Sequence, residues 1–176
     1  LHTETLIPSL DKFKRDDFKK IGEEYIYKLN KITSNETITT DKLTVNFKWI
    51  GLIKLILPNA KIINCSRNKQ DTCFSIFKNY FTSNELTFAY EINEIVSYYN
   101  LYCDLMNHWN SSIPNFVYDI KYENLIKKPE INIKKLLNFC SLDWDENCLK
   151  FYNNKRAIKT ASDTQVRSKL YSSSID

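Results

Sequence analysis

The chain has 176 residues, 43% of them hydrophobic and 26% charged, the composition of a single globular domain long enough to bury a core. A formal net charge of +4 is mild, and no basic run is long or interleaved with stacking aromatics, so a nucleic-acid footprint is set aside. With only Gly22 and Gly51 available, neither a G-x-G-x-x-G nor a G-x-x-x-x-G-K-[ST] loop can be written, and a nucleotide must be held by side chains, by helix ends, or by a loop outside this chain. Residues 1–10 read as an extended lead-in. From about Leu10 to Asn30, Phe13, Phe18, Ile21, Tyr25 and Leu29 recur among charges and predict an amphipathic surface helix. The polar stretch from Ile32 to Lys42 reads as a loop delivering Lys42 into a helix that is apolar nearly all round. Val45, Trp49, Leu52 and Ile56 recur there at helical spacing, with Ile50, Ile53 and Leu57 on the flanks, until Pro58-Asn59 ends it.

Ala60 to Cys65 is short, apolar and β-branched, as expected for a strand buried on both faces. Ser66, Arg67 and Asn68 follow at its carboxyl end, ahead of a helix from about Gln70. In open α/β sheets ligands bind outside the carboxyl ends of strands. An arginine there, with Ser75 on the next helix, has the chemistry to hold a phosphate by charge-assisted hydrogen bonds. Thr82-Ser83-Asn84-Glu85 has the form of a capping box and precedes a long helix striped by Ile92, Ile95, Val96, Tyr99, Cys103, Met106 and Trp109, which Pro114 stops. Pro114 to Glu123 is alternating and aromatic, a second strand ending at Tyr122-Glu123. Pro129-Glu130 opens a further helix striped by Ile133, Leu136, Leu137 and Cys140, and Asp145 to Tyr152 forms a short one. The tail from Arg156 onward is polar and has no period.

Two strands with helices around each predict part of a three-layer α/β sheet. Five cysteines are scattered without a C-x-x-C pair, which points to buried thiols in a reducing, cytoplasmic setting. No His/Cys/carboxylate cluster has metal-ligand spacing, and His108 on the long helix reads as structural. No signal peptide is read, and no apolar run approaches the ~18 residues of a membrane span, so no span is expected.

Asp41-Lys42 ahead of Asn46-Phe47, Ile50-Gly51-Leu52-Ile53 and Leu57-Pro58-Asn59-Ala60-Lys61-Ile62-Ile63 begins a longer pattern. Ser66-Arg67-Asn68, Asp71-Thr72-Cys73 and Ser75 continue it, followed by Tyr98-Tyr99, Met106, His108-Trp109 and the run Tyr122 to Glu130. With Leu136 to Tyr152 and Thr160 to Ile175, the series resembles, in order and spacing, the sulfotransferases that use 3′-phosphoadenosine-5′-phosphosulfate (PAPS). The likeness is to the bacterial branch often fused to tetratricopeptide repeats and related to protein-tyrosine sulfotransferases, so a repeat region upstream is a possible partner segment. The resemblance implies a partial three-layer, P-loop-like α/β fold, a parallel sheet flanked by helices and mostly helical by residue count. It also implies one sulfotransferase domain over residues 1–176 that lacks the first strand and phosphosulfate loop.

What the resemblance implies for individual residues is specific. Lys42, 25 residues before Arg67, takes the place of the lysine beside the bridging oxygen, although a lone loop lysine otherwise reads as surface. Arg67 and Ser75 take the places that bind the 3′-phosphate, and Asn79 stands where tyrosine sulfotransferases carry another arginine. Tyr122 matches a residue near the adenine, with core packing as the plainer reading. Ser162 matches a serine near the phosphosulfate, and Arg167 helps cover the nucleotide. PAPS is then the co-substrate and no metal is needed. The acceptor is a hydroxyl or amine on a small molecule, glycan or peptide. The alternative is an inactive remnant that binds 3′-phosphoadenosine or serves as an interaction module.

Overall fold

The computed structural model describes residues 7–33, 37–81 and 84–154. Most described residues are helical, and the strands form a single parallel pair. This is the α/β architecture expected from the sequence. The chain divides into two compact units, the first made of residues 1–60 and 105–114 and the second of residues 61–104 and 115–176.

In the first unit a 3-10 segment, Ile7–Lys12, leads into helix α1, Arg15–Thr33. The first-turn acids Asp16 and Asp17 suit the positive end of the helix. The apolar helix expected next is two elements, a 3-10 segment Thr44–Trp49 and then α2, Ile50–Ile56. It is also less enclosed than its composition suggests. Ile50 is buried, but Leu55 is exposed. Both glycines of the chain serve close packing here. A Cβ on Gly22 would lie 2.0 Å from the Ile56 carbonyl oxygen, and one on Gly51 would lie 2.7 Å from a ring carbon of Trp109. The Trp109 indole N–H donates to the Phe47 carbonyl at 2.8 Å and fixes that ring.

The second unit holds the sheet. Strands β1, Ile62–Ser66, and β2, Val117–Lys121, pair in parallel with Asn64 opposite Asp119. Between them come α3, Lys69–Phe77, a 3-10 segment Asn84–Tyr90, and the long helix α4, Ile92–Ser112, whose residues from 105 onward belong to the first unit. The long helix begins at Ile92, where Glu91 accepts from the Asn93 and Glu94 amides at 2.8 and 3.3 Å, and Thr82 and Ser83 of the expected capping box lie outside the described residues. After β2 come α5, Tyr122–Lys127, and α6, Pro129–Phe139, with proline in the first turn as expected. Ser141, with φ of 58°, ends α6 in the left-handed conformation usually given to glycine, and the Leu142 amide returns to the Leu137 carbonyl at 2.9 Å. A last 3-10 segment, Glu146–Asn153, is capped by Asp145.

Helices pack on each face of the strand pair, leaving one face of β1 partly open. On one face the Tyr102 hydroxyl of α4 donates to Asn64, and Asn64 donates to Asp119 at 2.7 Å. On the other, the Tyr118 ring packs against Phe139 of α6 with centroids 5.1 Å apart. The buried residues of this unit are Cys73, Ala89, Ile95, Phe116 and Ile120. Strand β1 is not buried on both faces as its composition suggests. Ile63 is 41% exposed and Cys65 is exposed, because β1 has a ladder partner on one side only among the described residues. All five cysteines are unbridged, and Cys73 alone is fully buried.

Candidate functional site

The carboxyl ends of the two parallel strands are stitched together, and Arg67 lies at the stitch. After Ser66 the chain turns into α3, and Asn68 is the helix cap, its side chain accepting from the Gln70 amide at 2.8 Å and the Asp71 amide at 3.4 Å. Thr72 donates its hydroxyl to the Asn68 carbonyl at 2.9 Å. The first-turn amides Gln70 and Asp71 are therefore already engaged by Asn68, and an anion at this turn would depend chiefly on side chains.

Those side chains are held in place. The Arg67 guanidinium pairs with Asp71, one helical turn on, at 3.3 Å, and both side chains are about two-thirds buried, at 31% and 29% exposure. The Tyr122 ring lies beneath the same guanidinium, 5.2 Å from its centre. The Arg67 carbonyl accepts from the Tyr99 hydroxyl of α4 at 3.3 Å. Glu123 reaches across from the end of β2 and accepts the Asn68 backbone N–H at 2.7 Å. That hydrogen bond, with the charges of Arg67 and Lys121 adding to it, holds the Glu123 carboxyl below the ordinary range against a small burial penalty. Lys69 donates to Asn100 at 2.8 Å, a second tie between the turn and α4.

Ser75 stands one turn beyond Asp71 on α3 and is half-buried. Asn79 donates its amide to the Ser75 carbonyl at 2.6 Å and so finishes the end of α3. Lys42 belongs to the first unit. It is exposed, in an irregular segment between two fixed points. Before it, Asp41 accepts from the Tyr25 hydroxyl at 2.6 Å. After it, Leu43 accepts from the Asn46 amide and opens the next segment. Ser162 and Arg167 lie outside the described residues.

The structure thus brings together Arg67 and Tyr122 and places Ser75 on α3, the helix that follows Arg67. The strand end presents a forked guanidinium, a group suited to phosphate, and Ser75 carries a hydroxyl further along α3. Sequence reasoning did not single out Asp71, Glu123 and Asn68. Asp71 was detectable as an acid four residues after an arginine, and Asn68 as a capping type just before a helix. Glu123 gave no local signal, since its partner is 55 residues away. Among the described residues no His, Cys, Asp and Glu are grouped so as to hold a metal, and no helix is long and apolar enough to cross a membrane.

A parallel strand pair between helices, with an oriented arginine at the strands' carboxyl ends, defines an α/β protein with a candidate anion site at the usual place for the class. A family model described as the sulfotransferase family matches residues 12–146. An uncharacterized protein of Aquifex aeolicus (strain VF5) is 36% identical over 160 residues, which cover 90% of this chain and 21% of that protein. The chain belongs to the sulfotransferase family, and it spans about a fifth of the length of this relative. Lys42, Arg67, Ser75 and Tyr122 all fall within the matched span, whereas Ser162 and Arg167 lie past it.

Proposed function

We propose that this chain is part of a PAPS-dependent sulfotransferase domain that moves a sulfuryl group to a hydroxyl or amine acceptor. Family membership supports the reaction class, and the observation that carries the nucleotide reading is Arg67, fixed at the end of β1 by Asp71 and Tyr122. PAPS supplies the sulfuryl group. Arg67 and Ser75 hold its 3′-phosphate, the first as a charged fork and the second as a hydroxyl donor. Tyr122 orients Arg67 and borders the adenine side. Lys42 places its ammonium beside the bridging oxygen, where negative charge grows as the sulfur–oxygen bond breaks and the electron pair stays on that oxygen. The acceptor forms the new bond to sulfur and loses its proton to a general base. By resemblance, Ser162 serves near the phosphosulfate and Arg167 helps cover the nucleotide. The setting is cytoplasmic, the branch is the one associated with tetratricopeptide repeats, and the acceptor is a small molecule, glycan or peptide.

The test is release of 3′,5′-adenosine bisphosphate from PAPS by the full-length polypeptide, followed chromatographically against a panel of hydroxyl and amine acceptors. Acceptor-dependent release is expected, with Lys42→Ala lowering kcat by roughly 10²- to 10³-fold, as for loss of one donor to a developing oxyanion. A second reading, a nucleotide-binding half-site without turnover, rests on the same Arg67, Asp71 and Tyr122 contacts and needs no chemistry from Lys42. It predicts bisphosphate binding and no release with any acceptor.

A further inference from the structure

We infer that Glu123 and Asp71 are positioning residues that aim the Arg67 guanidinium at a phosphate monoester, with Glu123 acting across the strand pair. This rests on the nucleotide reading above. An arginine side chain loses about 2 kcal/mol of rotamer freedom when it is fixed. A site that fixes it before the ligand arrives keeps that loss out of the binding step. Asp71 restrains the fork from α3 through the 3.3 Å ion pair. An exposed pair at this helical spacing would contribute only a few tenths of a kcal/mol. Here both partners are mostly buried and the Tyr122 ring bounds the other side of the guanidinium, so the pair selects an orientation.

Glu123 sets the base from which the fork projects. Its carboxylate takes the N–H of Asn68, the residue immediately after Arg67, and so fixes the backbone from which the guanidinium projects. A carboxylate would repel a bound phosphate, so a ligand contact does not explain a negative group here. The Asn68 bond does. The strand register places Ser66 opposite Lys121, which brings the two turns level.

Calorimetry on the full-length polypeptide tests this with two probes, 3′,5′-adenosine bisphosphate and 5′-AMP, which lacks the 3′-phosphate. Wild type should prefer the bisphosphate, and Arg67→Ala should erase that preference. Glu123→Ala should weaken the bisphosphate by roughly 10- to 100-fold, the range seen when a residue orienting a ligand-binding group is lost, and leave 5′-AMP unchanged. The double variant should match Arg67→Ala alone, because Glu123 acts only through Arg67. Glu123→Gln should keep most of the affinity, since its amide oxygen still accepts from Asn68. If Glu123→Ala does not fold, Asp71→Ala enters the same cycle with the same expectation. Equal weakening of both probes, or additive losses in the double variant, would overturn the positioning role while leaving the nucleotide site standing. Absence of any bisphosphate preference in wild type, or its survival in Arg67→Ala, would overturn both.

Discussion

Replacing Gly22 with alanine in helix α1 isolates a close backbone approach in the first unit. In an ordinary exposed helix the change would stabilise by about 1 kcal/mol, because alanine has less backbone entropy to lose. Here the new Cβ would sit 2.0 Å from the Ile56 carbonyl oxygen and 3.0 Å from its carbon. These are backbone atoms of the last residue of α2, so no rotamer change relieves the overlap. The helices must separate by more than about 1 Å, and overpacking of this kind costs about 1–3 kcal/mol. The immovable partner argues for the upper end, so the net loss should be about 2 kcal/mol. For a chain of this size that is a fall in Tm of roughly 4–8 °C. Thermal and urea melts of Gly22→Ala should show it, with Glu23→Ala on the exposed side of the same helix within about 0.5 kcal/mol of wild type. An unchanged or raised Tm for Gly22→Ala would refute the packing argument.

Gly51→Ala should displace the Trp109 ring, 2.7 Å from the added carbon, and break its hydrogen bond to Phe47. A red-shifted tryptophan emission, together with a loss of about 1–3 kcal/mol, checks this. The Tyr25 hydroxyl, raised to about 12 first by its bond to Asp41 and then by burial and that charge, contributes stability that is complete below the ordinary tyrosine value and lost as pH rises toward 12. Tyr25→Phe should therefore shrink the drop in urea midpoint between pH 9 and pH 11.5. Asn64→Ala removes the bridge joining Tyr102 to Asp119, and a stability loss of about 1–3 kcal/mol in equilibrium unfolding is expected.

The parts of the site legible in the sequence were those with a local signature. A β-branched run placed β1 to within two residues, and the arginine after it fell at the strand end where ligands gather. Pro129 marked the start of α6, and a 3.6-residue stripe marked α4, because periodicity and proline geometry act over a few residues. Residues 44–57 misled through composition. Apolar content fitted an enclosed helix, whereas the chain forms a 3-10 turn and a short α-helix with Leu55 exposed. The exposure of Ile63 and the reach of Glu123 to Asn68 depend on which strands and turns meet in space, and no window of sequence contains that. Tyr122 shows both limits. Its place beside a ligand was inferred from resemblance, but its contact with Arg67 comes from two turns being level at the end of a parallel pair.

The parallel pairing also sets an order of events on the ribosome. Asn64 and its partner Asp119 are 55 residues apart, so at about 5–20 residues per second β2 emerges roughly 3 to 11 seconds after β1. Throughout that interval the β1 ladder groups destined for β2 have no mate, and among the described residues nothing encloses Ile63 and Cys65. Neighbouring nascent chains on one polysome present the same unpaired strand at the same moment, a setting for edge-to-edge association. Slower translation through residues 67–116 would lengthen that exposure, and faster translation would shorten it. Soluble yield of this chain should therefore depend on codon choice between the strands more than on codon choice within them.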